Sequence, residues 1–228
     1  LIRRTGPVMF ASWLKREKPD LACFSQGSVS EDLDLIKFCA DSGLPYAVVI
    51  HANAEYMWPD GQRARDFVDL YSRARRLFFV SEGNRTLLET QTGHEFTNAE
   101  LVRNPFNVRR DVAIPWPAES TPLRLACVGR LEPAAKGQDL LLKILAQEPW
   151  RSYDLEVSFY GKGCAEENLR KLAKRLQLDT RVKFCGHVSD LEGLWSKHHA
   201  LIQPSRFTGL PLTIVEAMHC GRPRSEER

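Results

Sequence analysis

The sequence predicts an α/β fold of two Rossmann-like domains with parallel sheets, and three observations carry that prediction. Short apolar runs alternate with stretches of helical periodicity from one end of the chain to the other. The alternation lapses once, over residues 104–122, where Pro105, Pro115, Pro117 and Pro122 fall without a period. Glycine also follows three of the four strands of the later half closely, where a backbone can approach a ligand. Strict alternation of strand and helix implies parallel sheets covered by helices on both faces. The expected division is 1–105, a linker at 106–122, and 123–228, with both domains truncated at the chain termini.

In the first half, a helix ending near Lys18 precedes a strand at Leu21–Phe24. Ser28 or Ser30 is the expected cap of a helix carrying Leu33, Ile36 and Phe38. Pro45–Ile50 is the clearest buried strand, followed by a helix with Phe67, Leu70 and Tyr71 and a strand at Leu77–Val80. Ser81 caps a helix reaching about Gln91, and Ala99–Val102 closes this half. The second half reads strand Leu123–Val128, helix Lys136–Ala146, strand Leu155–Tyr160, and a helix through Leu169, Leu172 and Leu176. Strand Val182–Phe184 follows, then a short helix opened by the capping-box match Ser189-x-x-Glu192, then strand Ala200–Ile202. The last helix begins near Pro211, with Leu212, Val215 and Met218 as its apolar face and Gly221 and Pro223 as its stop. Beyond it the chain is polar where an α/β fold would next need an apolar strand.

Composition narrows the classes. Of 228 residues, 43% are hydrophobic and 27% charged, an ordinary globular balance. A net charge of +3 is too small to argue for nucleic acid. Six cysteines include no CxxC pair, and Cys23, Cys39, Cys127 and Cys185 have apolar neighbours, so free buried thiols in a reducing, cytoplasmic setting are expected. No apolar run is long enough to span a membrane.

Ligands of open α/β sheets lie outside the carboxyl ends of the strands. In the second half those ends carry Gly129-Arg130, Gly161-Lys162-Gly163, Gly186-His187, and Ser205-Arg206 through Thr213. Arg130 and Lys136 flank one loop, and two cations with a helix N-terminus suit a diphosphate. Glu216, one turn into the last helix, is placed to accept hydrogen bonds from two sugar hydroxyls.

These segments, from Val128-Gly129-Arg130-Leu131 and Lys136-Gly137 through Tyr160-Gly161-Lys162-Gly163, Phe184–Val188 and Pro204–Pro223, resemble the donor-binding half of the retaining GT-B glycosyltransferases of family four, the group 1 glycosyl transferases. Ile50-His51, Phe79–Glu82 and Val102–Pro105 are similar to strand ends of that family's acceptor domain. The resemblance implies transfer of a sugar from a nucleotide-diphosphate donor to a glycan or lipid-linked acceptor, with retention. It implies that Arg130 and Lys136 hold the leaving diphosphate, that Glu216 takes the ribose, and that Thr208, Gly209, Leu210, Pro211, Leu212 and Thr213 meet the donor sugar and phosphates. Gly129, Gly161, Gly186 and His187 would line the donor site, and His51 would lie near the transferred sugar. No cofactor and no metal are implied.

The chain departs from the family where a first glutamate is usual, eight positions before Glu216, because Thr208 stands there. That departure keeps a second reading open, a non-catalytic sugar-nucleotide-binding protein; a sugar-nucleotide epimerase is a third. His51 is either a site residue or an ordinary loop histidine. Asp32-Leu33-Asp34 matches a short metal pattern but is expected to open a helix, and His198-His199 reads as a half-exposed strand entry. Arg63, Arg65, Arg73, Arg75 and Arg76 are either a solvated helical face or a patch for peripheral contact with anionic lipid at the inner membrane face.

Overall fold

A computed structural model of the chain describes residues 7–109, 113–118, 122–206 and 211–226. It divides into two compact units, Leu1–Asn104 and Pro105–Arg228. The first contains α1 (Pro7–Glu17), β1 (Ala22–Gln26), α2 (Leu33–Ser42), β2 (Tyr46–Ile50), α3 (Gly61–Ser72), β3 (Arg76–Phe79), α4 (Glu82–Thr92) and β4 (Ala99–Leu101). Its sheet runs β1-β2-β3-β4, parallel throughout. β2 is buried on both faces, as an interior parallel strand must be, and Val48 and Ile50 are fully enclosed. Phe67 and Tyr71, one turn apart on α3, stack at 5.5 Å and fill the same core.

The second unit contains β5 (Leu123–Val128), α5 (Pro133–Lys136), α6 (Gln138–Leu145), β6 (Leu155–Tyr160), α7 (Glu166–Arg175), β7 (Val182–Gly186), α8 (Leu191–Trp195), β8 (Ala200–Gln203), α9 (Leu212–His219) and β9 (Arg224–Glu226). The parallel sheet order is β7-β6-β5-β8-β9. One core gathers Leu141, Leu142, Val157, Phe159 and Leu169; the other gathers Ala126, Trp195, Leu201 and Ala217. Part of the proline-rich stretch packs on the second core: Val108 is buried, with Phe106 and Ile114 against it. Arg222, itself buried, donates to the carbonyls of Trp195, Cys220 and Pro115 at 2.8, 3.0 and 2.5 Å.

Several local expectations are corrected. α2 starts after Asp32, which is left-handed and makes no side-chain cap bond. Ser30 has φ 82° and the Ser28 hydroxyl is turned to Glu31, so neither serine caps. The helix expected over 136–146 is α6 and starts two residues later, because Gly137 takes φ 66° between it and the separate turn α5. α8 is capped by Asp190, whose carboxylate accepts from Gly193 N at 2.8 Å, while Glu192 is drawn to Arg109 instead of closing a box with Ser189. α9 buries Ile214, Glu216 and Ala217, leaving Met218 exposed, so its apolar stripe is rotated from the expected one. A strand does follow it: β9 pairs Arg224, Ser225 and Glu226 with Leu201, Ile202 and Gln203. All six cysteines are free thiols, but only Cys39, Cys127 and Cys220 are buried. Cys23 and Cys185 lie on the outermost strands β1 and β7, whose pattern alternates. His198 and His199 are both buried; the ring Nδ1 of His199 accepts from Arg124 N at 3.0 Å.

At Gly137 a Cβ would run into the Pro204 carbonyl oxygen, and φ is unfavourable for any other residue. Gly137→Ala should therefore destabilise by about 3 kcal/mol or more in urea unfolding. Gly83→Ala, in α4 with open space around it, should stabilise by about 0.5 kcal/mol in the same assay.

Candidate functional site

In the second unit the tips of β5, β6 and β7 are tied to one another before any ligand is considered. Gly129 N donates to Tyr160 O at 2.9 Å, Gly161 N to Gly186 O at 2.7 Å, and Leu131 N to Lys162 O at 3.2 Å. Gly161 has φ 134°, and a Cβ there would strike the Gly129 carbonyl, so close approach of two strand tips requires glycine. Over these tips opens a cleft of about 500 Å3, lined by Asn107, Gly129, Arg130, Gly161, Lys162 and His187, with Val128, Tyr160, Val188 and Leu191 as its apolar wall. Its charged groups, Arg130 and Lys162, are both cationic. A second groove of about 360 Å3, between α6 and the β8–β9 side, is lined by Leu140, Leu141, Ile144, Trp150 and Ile202 without a charged group, and offers no such chemistry.

Arg130 is highly exposed and its Nη2 lies 3.4 Å from Glu132 Oε2, a pairing loose enough to yield to a stronger anion. Gln138 fixes the backbone beneath it by donating to Arg130 O at 2.7 Å. Lys136 is mostly buried behind Gly129, its Cδ 3.8 Å from where a glycine Cβ would project. Burial first, and then the neighbouring Arg130 charge, hold its ammonium below the ordinary lysine pKa. An anion bound beside the ammonium would offset both effects by pairing with its charge.

Glu216 is only 3% exposed, on the inward side of α9. Its Oε1 accepts two bonds from Asn107, from the backbone N at 3.0 Å and from Nδ2 at 3.2 Å. Asn107 lines the cleft, so Glu216 reaches the site through Asn107. The segment carrying Asn107 is held by Val108 in the core and by Arg109, whose Nε and Nη2 both donate to Glu192. Arg109 holds the Glu192 carboxyl down to about 2. Around β8, the Thr213 hydroxyl donates to Gln203 Oε1 at 2.6 Å, and Arg206 pairs with Asp139 at 2.6 Å. Pro211 precedes α9 without a side-chain cap bond, and Leu212 is its first residue. Thr208, Gly209 and Leu210 lie outside the described residues.

The second unit thus brings Gly129, Arg130, Gly161 and His187 to one cleft, places Gly186 and Lys136 immediately behind it, and joins Glu216 to it. Asn107 escaped the sequence reading because it lies in an aperiodic stretch; its only signal was an amide side chain directly after a proline-containing turn. His51 belongs to the first unit. Its ring is 2.9 Å from Ser25 Oγ through Nε2 and 3.5 Å from Asn104 Nδ2 through Nδ1, and its carbonyl accepts from Asn84. Among the described residues no group of three His, Cys, Asp or Glu side chains is arranged to hold a metal. No described helix is long and apolar enough to cross a membrane. Of the five arginines, Arg73 pairs with Asp69 and Arg76 with Glu100.

Two parallel α/β sheets of this kind match the GT-B fold. Residues 122–224 match the family model of glycosyl transferases group 1. A relative named an uncharacterized glycosyltransferase from Haemophilus influenzae is 35% identical over 88 residues, 39% of this chain and 25% of the relative. The O-antigen chain mannosyltransferase B of Escherichia coli is 31% identical over 100 residues, 42% of this chain and 26% of that one. The matched stretches therefore span about a quarter of these relatives. Among solved structures, Anabaena HepE in complex with UDP-glucose superposes with a TM-score of 0.75 at 22% identity, covering 96% of this chain and 62% of that one. The lipopolysaccharide outer core galactosyltransferase WaaB, in its apo form, gives 0.64 at 21% identity over 96% of this chain and 59% of its own.

Because the folded chain lowers the Lys136 pKa, the unfolded chain binds more protons between the folded value and about 10.5. Stability should rise with pH through that window. Lys136→Met should flatten this part of the profile, read by thermal unfolding. Asn107→Ala removes one donor to Glu216 and keeps the backbone N–H; it should destabilise by about 1.5 kcal/mol in urea.

Proposed function

We propose that this chain supplies the donor-binding half, and part of the acceptor-binding half, of a glycosyltransferase that moves a sugar from a nucleotide diphosphate to an acceptor hydroxyl with retained anomeric configuration. The observation that carries this reading is the cationic cleft over three glycine-containing strand tips, with Lys136 behind it and a buried carboxylate linked to it through Asn107. Leaving-group departure builds negative charge on the diphosphate. Arg130 is placed to meet that charge from the rim and Lys136 from beneath. A ligand diol would take over the bonds that Asn107 now makes to Glu216. The tied strand tips hold the glycines of the cleft in register, so the rearrangement on binding falls on the Asn107 segment.

The group 1 family match and the O-antigen enzymes among the relatives support a glycan acceptor. The solved neighbour that holds UDP-glucose makes uridine diphosphate the first probe. Thr208 in place of a usual glutamate supports a second reading, donor binding without turnover.

Hydrogen bonds to charged groups contribute roughly 1.5–3 kcal/mol each. Arg130→Ala and Glu216→Ala should each weaken uridine diphosphate binding by about tenfold or more in calorimetry. Unchanged affinity in both would remove the site assignment. Transfer, with product configuration read by NMR, separates the catalytic from the binding-only reading.

A further inference from the structure

The loop that follows β2 in the first unit, residues 51–60, combines a rigid base with an exposed aromatic tip. Ala52, Asn53 and Ala54 are buried. Asn53 Nδ2 donates to Gln91 Oε1 at 2.7 Å, Gln91 Nε2 to Ala54 O at 2.9 Å, and Ala54 N to Asn53 Oδ1 at 2.9 Å. Val29 N reaches Ala52 O and His51 N reaches Gln26 O, each at 3.0 Å. At the far end Asp60 caps α3 by accepting from Arg63 N at 2.8 Å. Between these anchors, Met57 N closes a turn onto Ala54 O at 3.0 Å. Tyr56 is 72% exposed and Trp58 is 61% exposed. Two large aromatic side chains thus stand largely exposed at a strand tip on a well-tied base, the kind of apolar surface that marks a binding site.

We propose that Trp58 and Tyr56 form a platform on which a pyranose ring of the acceptor glycan lies, at the same strand tip that carries His51. The inference rests on the glycosyltransferase reading above and names the class of acceptor. One face of a pyranose presents C–H groups with small positive charge, which complement the negative face of an indole or phenol ring. The indole N–H and the phenol hydroxyl add polar ends for sugar hydroxyls. Aromatic side chains lose little rotamer freedom when they dock, so a fixed loop of this kind binds without much ordering cost. The local charge argues against an anionic lipid surface as the occupant. From Glu55 to Asp66 the loop and first turns of α3 carry three carboxylates, Glu55, Asp60 and Asp66, against two guanidinium groups, Arg63 and Arg65. Arg65 is also engaged with Gln62 at 2.8 Å.

The test uses the full chain and saturation-transfer NMR with the methyl glycosides of glucose, galactose, mannose and N-acetylglucosamine. At least one should receive saturation from the wild-type protein. Trp58→Ala should reduce that transfer more than fivefold, Trp58→Phe should retain most of it, and uridine diphosphate affinity should stay within twofold in both. Both side chains are largely exposed, so thermal unfolding midpoints should not move. Glycoside signals equal in the wild type and in the Trp58→Ala/Tyr56→Ala double variant would overturn the platform, as would no signal from any glycoside. Loss in the double variant of binding to phosphatidylglycerol vesicles, with no glycoside effect, would assign the aromatics to a membrane instead. Glycoside binding without uridine diphosphate binding would sink the donor-site reading and leave the platform standing.

Discussion

The interaction on which the second unit turns is the bond pair from Asn107 to the buried carboxylate of Glu216. A carboxylate on the inward face of a helix must find donors, because its burial is otherwise costly. Here the donors come from more than a hundred residues earlier in the chain. Satisfying Glu216 brings the start of the irregular stretch across the unit. Val108 then enters the core and Arg109 closes on Glu192. One wall of the cleft is thus a consequence of a charge that had to be accommodated.

The same logic separates what was legible in the sequence from what was not. The strand Tyr46–Ile50 could be read directly, because a parallel strand covered on both faces needs an unbroken apolar run. The edge strand Arg224–Glu226 could not, since it is held by backbone pairing with β8 and asks little of its side chains. Cap residues failed by one position at Asp190, where the neighbouring serine offered an equally good signal. The stripe of α9 was misread because a buried glutamate shares its inward face with Ile214 and Ala217. Glycines at the strand tips were legible as close-approach positions, and Arg130 with Lys136 as a cationic pair. Asn107 was not, because its role is set by a contact distant in sequence.

Arg130 at the cleft and Lys136 behind it differ in kind. Arg130 stands in solvent with a loose partner, whereas Lys136 is held in a place that disfavours its charge. An exposed guanidinium meets an incoming anion early and can be displaced from Glu132 at little cost. A buried ammonium contributes when water has been excluded, in surroundings where each charge interaction is stronger. In the proposed reaction, encounter and stabilisation would thus be divided between two residues six positions apart. α5 ends on Lys136, and left-handed Gly137 follows it.

The distribution of the six thiols has a practical consequence. Cys39 and Cys127 are pushed up to about 11 and about 12 by burial, so they stay protonated and chemically quiet near neutral pH. Cys23 on the first sheet, and Cys164 and Cys185 on either side of the second unit's strand tips, face solvent. Alkylating dyes will therefore discriminate between them without mutagenesis, and the chain carries its own attachment points for spectroscopic reporters on each half.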